Sequence, residues 1–149
     1  MINIGFGKYF EEFEIGQEFS SPRRTVSESL ISQFAGISGD FNPLHTDDEY
    51  AKDTRFNERI AHGLLGLTIG SGFLNSIWNQ TAIAFLGLKW DFTGPLKIGD
   101  SISLKAKVVD KKESSKGDKG IVIVEANIVN QRNEVVQIGE WKMLILKKI

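Results

Sequence analysis

The chain has 149 residues, of which 41% are apolar, and its 18 basic and 19 acidic side chains leave a net charge of −1. This composition is typical of one soluble globular domain, and we predict a single domain over residues 1–149. The balance of charge lacks the basic surface of nucleic-acid-binding proteins, so no nucleic-acid partner is expected. Cysteine is absent, which excludes disulfides, thiolate nucleophiles and zinc–thiolate sites.

No membrane partner is expected either. The first ten residues lack a charged segment leading into an apolar run, and the most apolar later stretch, residues 60–74, is short and contains His62 and four glycines. A cytoplasmic location is therefore the default expectation, and the absence of cysteine agrees with a reducing compartment.

The N-terminal third predicts a short extended piece over residues 17–26, followed by a helix. Ser27 has the side chain of a helix N-cap and Glu28 suits the first turn. The small residues between positions 36 and 39 predict the end of this helix. Its apolar stripe is expected to consist of Leu30, Ile31, Phe34, Ala35 and Ile37.

Residues 40–62 predict a long irregular segment with one or two short helical turns, because they contain an Asn-Pro step and paired aspartates. Long ordered loops in compact domains usually carry function. Residues 63–78 are apolar nearly all round, which predicts a helix buried on every side. The glycines at positions 66, 70 and 72 would let neighbouring backbones approach it closely.

The second half of the chain predicts strands. Residues 101–108 alternate between apolar and polar side chains, which is typical of a half-buried strand. Further strands are predicted over residues 82–92, 120–129 and 135–146, with a polar loop over 111–119 and a tight connection over 130–134. Neighbouring strands with short links favour an antiparallel sheet, so the predicted fold class is α+β.

Candidate chemistry centres on Asp40 and His45, which are five positions apart around Pro43. A carboxylate and an imidazole on a stiffened loop can share one water molecule, as general acid–base catalysis requires. A structural interpretation exists for each residue, because Asp40 suits a turn or helix cap and a lone histidine is often only a buried core residue. His62 is expected to be structural and to hold the turn before Gly63.

The runs Gly39–His45 and Arg59–Gly63 resemble the MaoC-like (R)-specific enoyl-CoA hydratases of the hot-dog fold, as do residues 9–16 and 92–100. The resemblance implies an antiparallel sheet wrapped around one long central helix. It also implies a dimer formed by joining two sheets edge to edge, with an acyl-CoA substrate that enters near the interface. One short chain then implies a homodimer or a dimer of dimers, rather than a fused double hot-dog.

Carried over by position, the resemblance makes Asp40 and His45 the catalytic pair that adds water to a trans-2-enoyl-CoA and gives an (R)-3-hydroxyacyl-CoA. The backbone N–H of Gly63, at the expected start of the buried helix, would stabilise the thioester enolate. Ser71 and Asn42 are further candidate substrate-binding residues; Asn42 would also brace the loop. No cofactor is implied, because the CoA thioester is itself the substrate.

Several alternatives stay open. His45, Asp47 and His62 offer two imidazoles and a carboxylate for ferrous iron, although their spacing makes a metal the weaker hypothesis. A hot-dog thioesterase would cleave the C–S bond instead. A dehydratase of a branched or dicarboxylic 3-hydroxyacyl-CoA would use the same pair, with Arg55 or Arg59 on the extra carboxylate. A non-catalytic acyl-CoA-binding or regulatory protein would not need the pair. The length of the acyl chain, the carrier and the direction of reaction are not determined by the sequence.

Overall fold

The computed structural model describes residues 4–148. The helices are α1 (Glu28–Ser38), α2 (Pro43–Thr46), α3 (Asp48–Lys52) and α4 (Gly63–Trp78), and a 3-10 turn covers Phe10–Glu12. The strands are β1 (Glu18–Ser20), β2 (Arg24–Thr25), β3 (Ala82–Phe92), β4 (Ser101–Glu113), β5 (Lys119–Val129) and β6 (Val135–Leu146). Among these helices, none is long and apolar enough to cross a membrane.

The strands form one antiparallel sheet in the order β1-β4-β5-β6-β3, and β2 pairs with the start of β4. α4 packs against this sheet, and apolar side chains of the helix and the strands form the core. The predicted α+β class, the sheet and the long helix are confirmed. The loop predicted over residues 111–119 is shorter, because β4 continues to Glu113, which pairs with Gly120 of β5. The predicted extended piece over residues 17–26 is split around Pro22, which has no backbone N–H to donate.

α1 begins and ends where the sequence predicted. The Ser27 side chain accepts a hydrogen bond from the backbone N–H of Leu30 at 3.2 Å, and Gly39 ends the helix with a left-handed φ of 76°. The prediction that Ile37 belongs to the buried stripe is wrong, since this side chain is 85% exposed. Ile37 follows the buried Ala35 by two positions, a rotation of about 200° that turns it to the opposite side of the helix.

Burial of α4 on every side, as the sequence predicted, is not seen in the single chain. Leu65, Ile69 and Leu74 are buried in the core, whereas Leu64 is 56% exposed. The sheet covers only one side of the helix, so the opposite side stays uncovered. The exposed side chains of this uncovered side of α4 are Leu64, Thr68, Ser71 and Asn75.

β3 continues this uncovered surface. Its position at the end of the strand order leaves one of its edges without a partner strand within residues 4–148. A cavity of about 330 Å³ joins the middle of α4 to the beginning of β3. We call the uncovered side of α4 and the exposed side chains of β3 the open face; the large apolar β3 members are Ile83, Phe85, Leu86, Leu88 and Phe92.

Candidate active site

The turn between α1 and α2 is built from side chains that bind the backbone. A carboxylate oxygen of Asp40, Oδ1, accepts a hydrogen bond from the backbone N–H of Asn42 at 3.1 Å. Asn42 in turn caps α2, because its Oδ1 accepts from the N–H of Leu44 at 3.1 Å and Pro43 occupies the first turn. The predicted bracing role of Asn42 is therefore confirmed, and the second carboxylate oxygen of Asp40 is left facing His45.

His45 lies on α2 with its ring largely buried. Its Nδ1 lies 2.7 Å from the backbone carbonyl oxygen of Ile60. A carbonyl oxygen only accepts, so Nδ1 carries a hydrogen and donates it. In the neutral ring this leaves the lone pair on Nε2, which lies 4.0 Å from Oδ2 of Asp40. Two polar atoms at this separation can both contact one water molecule.

His62 adjoins the same pair. Its Nε2 lies 2.9 Å from the backbone carbonyl oxygen of Asp40. Its ring stacks on that of His45, with 3.9 Å between the centroids and 29° between the ring planes. The sequence indicated a structural role for His62 but gave no sign that it packs on His45 across 17 positions of chain.

The structure changes which residues could bind a metal: Asp40, and not Asp47, lies beside the two histidines. Asp47, one of the three candidate ligands, caps α3 and accepts hydrogen bonds from the N–H groups of Glu49 and Tyr50. Polar atoms of Asp40, His45 and His62 do lie within 4.8 Å of one another. However, imidazole nitrogens bind metals in the plane of their ring, and two stacked rings do not direct their lone pairs at one point. The arrangement is better suited to acid–base chemistry.

Gly63 is the first residue of α4, and its backbone N–H has no acceptor among the hydrogen bonds of residues 4–148. A Cβ atom added to Gly63 would lie 2.8 Å from the ring of Phe92, so this position has no room for a side chain. The Gly63 carbonyl accepts a hydrogen bond from the buried amide of Gln137 at 2.9 Å. Gln137 also accepts from Nε1 of Trp90 at 3.0 Å, and the sequence pattern gave no signal for this link.

A cavity of about 650 Å³ opens beside Gly63. Its wall contains Ile60, whose carbonyl holds His45, so the cavity adjoins the polar pair. Apolar side chains dominate the rest of the wall, and one charged side chain, that of Arg55, contributes to it: the further lining residues include Phe56, Leu64, Phe92, Pro95 and Leu96.

Ser71 is not brought to this cavity in the single chain. It lies about 12 Å along α4 from Gly63, at 1.5 Å per residue over eight residues. Its hydroxyl donates to the Thr68 carbonyl at 2.5 Å, and it lines the 330 Å³ cavity on the open face. The structure therefore brings Asp40, Asn42 and His45 together, with Gly63 close by, and leaves Ser71 apart.

The two arginines proposed for an extra carboxylate differ in their surroundings. Hydrogen bonds to Asp48 and Glu28 raise the pKa of Arg59 above its ordinary value. Arg59 is thus paired with a carboxylate of α1 and one of α3. Arg55 lines the 650 Å³ cavity with its guanidinium 4.7 Å from the centre of the Phe56 ring. It makes no ion pair among the described residues.

Comparison with known proteins identifies the family. Residues 11–130 match the MaoC like domain. An (R)-specific enoyl-CoA hydratase from Rhodospirillum rubrum is 37% identical over 100 residues, which cover 67% of this chain and 69% of that protein. An (R)-specific enoyl-CoA hydratase from Aeromonas caviae is 30% identical over 130 residues, which cover 87% and 93%.

Solved structures with similar folds include members of the same family. A monoamine oxidase regulatory protein from Archaeoglobus fulgidus is 38% identical with a TM-score of 0.88, over 96% of this chain and 97% of that one. The R-hydratase PhaJ1 from Pseudomonas aeruginosa is 30% identical with a TM-score of 0.81, over 94% and 86%. A double hot-dog protein from Mycobacterium tuberculosis, 21% identical, matches 99% of this chain and 46% of its own with a TM-score of 0.85, which shows the fold alone.

The chain belongs to the MaoC-like domain family and has the hot-dog fold, as the sequence resemblance implied. The names of its relatives support a hydro-lyase, an enzyme that adds or removes water, as its general class.

Proposed function

We propose that this protein catalyses the reversible syn hydration of a trans-2-enoyl-CoA to an (R)-3-hydroxyacyl-CoA. The observation that carries the proposal is the 4.0 Å separation between Asp40 Oδ2 and His45 Nε2, with the opposite nitrogen of His45 fixed on the Ile60 carbonyl. The names of the two hydratase relatives supply the substrate class.

The proposed reaction needs both members of the pair. The water held between Asp40 and His45 loses a proton to the pair as its oxygen attacks C3 of the substrate. The pair returns a proton to C2 on the same face of the double bond, so that H and OH add across C=C with syn geometry. Both groups can contact the same water molecule, so the two proton transfers are assigned to the pair rather than to one residue.

The backbone N–H of Gly63 would stabilise the negative charge that develops on the thioester oxygen. It combines an amide without an acceptor among the described residues with the positive end of the α4 dipole. The adjoining cavity of about 650 Å³ falls within the usual size of small-molecule sites, about 300–1,000 Å³. Its apolar wall suits an acyl or pantetheine chain.

The proposal includes a homodimer. An edge strand of 11 residues with exposed apolar side chains is a surface that another strand can cover, and β3 has this character. Joining two β3 edges would also cover the adjacent side of α4, where Ser71 lies. Ser71 would then face the partner, which gives it a route to substrate that the single chain lacks. We further propose a cytoplasmic enzyme that needs no metal or other cofactor.

A second candidate function is the dehydration or hydration of a dicarboxylic acyl-CoA. The observation that favours it is Arg55, a positive side chain in the wall of an otherwise mainly apolar cavity. Its guanidinium could bind a carboxylate on the acyl chain. The same guanidinium could instead bind a phosphate of CoA, so the two substrate classes must be compared directly.

The test mixes purified protein with trans-2-enoyl-CoA substrates of several lengths and follows the loss of the conjugated thioester absorbance. Product stereochemistry and free thiol are measured in parallel, with Asp40→Asn as the inactive control. Formation of the (R)-3-hydroxyacyl-CoA without thiol supports the proposal. Thiol release would replace it with a thioesterase, and binding without any reaction of linear, branched or dicarboxylic esters would replace it with a binding or regulatory protein.

A further inference from the structure

His62 lies at the N-cap of α4, but its side chain does not cap the helix. It is the N-cap of α4, where a short polar side chain normally accepts a hydrogen bond from the first turn of the helix. The His62 side chain makes no such bond. It is nevertheless only 2% exposed, so its burial needs another explanation than helix capping.

The contacts of its ring supply that explanation. Nε2 faces the backbone carbonyl of Asp40 at 2.9 Å, and because a carbonyl only accepts, Nε2 carries the hydrogen. One face of the ring stacks on His45 at 3.9 Å. Phe34 of α1 packs edge-on against it at 5.0 Å, which holds the ring in place. One rigid side chain thus touches both members of the Asp40–His45 pair.

We propose that His62 is a positioning residue that sets the separation and orientation of Asp40 and His45. Its hydrogen bond fixes the main chain of Asp40, and its ring fixes the plane of the His45 imidazole. Its polar contact is with the Asp40 backbone and not with the Asp40 carboxylate, and its other nitrogen, Nδ1, is buried without a hydrogen-bond partner among the described residues. The inference rests on the proposed function, since it concerns the same site.

The charged and titratable groups around this ring are few. Asp40 and His45 face it directly, and Arg59 of the same segment donates to the His45 carbonyl at 3.5 Å while bound to Asp48 and Glu28. From α1 the packed neighbour is Phe34, which is apolar. Replacing His62 leaves all of these charged groups in place, and it removes the contacts that hold the geometry of the pair.

Three substitutions separate the two contacts. His62→Gln keeps a donor for the Asp40 carbonyl but no ring; His62→Phe keeps a ring against His45 but no donor; His62→Leu keeps neither. We expect kcat to fall about tenfold in the first two and about a hundredfold in the third, with KM changed less than twofold, because misplacing catalytic groups by about 1 Å can cost about a hundredfold in rate. The pH profile of kcat/KM should also move, because the electrostatic interaction between Asp40 and His45 depends on their separation.

The matched control is Thr81→Val. Thr81 is fully buried just beyond the other end of α4, and its hydroxyl donates to the Lys8 carbonyl at 2.7 Å. Its loss should lower the melting temperature while leaving kcat and the pH profile as in the natural chain. If the His62 variants behave in the same way, His62 only contributes to stability and the proposal is overturned.

A second readout does not depend on activity. The chain has only two histidines, so the imidazole NMR signals of His45 can be assigned by removing His62. Loss of the stacked ring in His62→Leu should shift the His45 ring signals, whereas Thr81→Val should leave them in place. Unchanged His45 signals would overturn the inference even in an active enzyme. Shifted signals in a protein inactive on every enoyl-CoA would keep the contact and refute the proposed function instead.

A metal bound by the three residues is the remaining competitor. Activity that is lost on chelation and restored by ferrous iron or zinc would make His62 a ligand and overturn its positioning role. Activity unaffected by chelation, combined with the expected His62 effects, supports it.

Discussion

The segment from Asp40 to His62 and the central strands of the sheet are held by different forces. In the segment, side chains of Asp40, Asn42, Asp47 and His45 bind backbone groups, and the carboxylate of the candidate pair stays half exposed. In β5, the inward side chains are fully buried and apolar: Val122, Val124, Ala126 and Ile128.

The two regions therefore contribute different properties: the segment sets the geometry of the candidate site, and the sheet supplies most of the stability. Each polar bond of the segment contributes a modest free energy but fixes a direction, which is what a catalytic pair requires. The apolar side chains of the sheet contribute most of the stability but little directional information. Substitutions in the two regions should therefore change different measurements.

The largest expected effect is on turnover. Asp40→Asn and His45→Gln should each lower kcat about a hundredfold or more, because general acid–base catalysis is lost. Melting temperatures should change little, since both residues lie in the segment. Asp47→Asn is the matched control: it makes the same acid-to-amide change at a helix cap of that segment and should keep near-normal turnover. Near-normal rates in both pair variants would refute the mechanism.

The next largest effect is expected on the proposed dimer. Leu86→Lys places a charge on the open face of β3, and the dimer dissociation constant should rise about a hundredfold because that charge would be buried on association. Sedimentation velocity over a dilution series measures this. Ser115→Lys, which adds the same charge in the exposed loop between β4 and β5, should leave association unchanged. Equal association of the two variants would place the interface elsewhere.

A methyl group at the start of α4 should matter for chemistry more than for folding. Gly63→Ala forces the Phe92 ring or the first turn of α4 to move, and we expect kcat to fall about tenfold. Gly36→Ala adds the same methyl in α1, where no atom lies within 4 Å, and should stabilise the protein by up to about 1 kcal/mol. The backbone N–H is kept in both variants, so full activity in Gly63→Ala would contradict only the expected displacement of the first turn of α4.

A conservative change in the sheet should affect stability and leave turnover unchanged. Ile145→Val, at a fully buried position of β6, should lower the free energy of unfolding by about 1 kcal/mol through the lost methylene. Urea unfolding measures this change, and kcat should stay within error. A change in kcat as large as that of Gly63→Ala would mean that sheet packing and site geometry are not separable.

The smallest expected effect concerns substrate class. Arg55→Ala should raise KM about fivefold for substrates that place an anion near this guanidinium. An effect on mesaconyl-CoA but not on crotonyl-CoA would assign the anion to the acyl chain. An effect on crotonyl-CoA but not on crotonyl-pantetheine would assign it to a CoA phosphate. Arg23→Ala, an exposed arginine outside the cavity, is the control; equal KM values in both variants would remove Arg55 from substrate binding.

Local sequence patterns were sufficient to predict those features of the fold that depend on residues close together in the chain. The Ser27 cap, the Gly39 end of α1 and the start of α4 at Gly63 follow from capping and helix periodicity. The strand bounds of β3 and β6 follow from patterns of period two and from turn residues. The choice of Asp40 and His45 as a pair also needed only their spacing and the resemblance to a family.

What the sequence by itself determined is thus the set of elements, the α+β class, the family and the polar pair. Only the tertiary structure decided which side of α4 the sheet leaves uncovered, that His62 stacks on His45, that Gln137 holds the first turn of α4, and that Arg55 rather than Arg59 lines the cavity. The physical reason is that these contacts join residues distant in the chain. Their energies depend on how helices and strands pack together, and this packing cannot be predicted from a local sequence pattern.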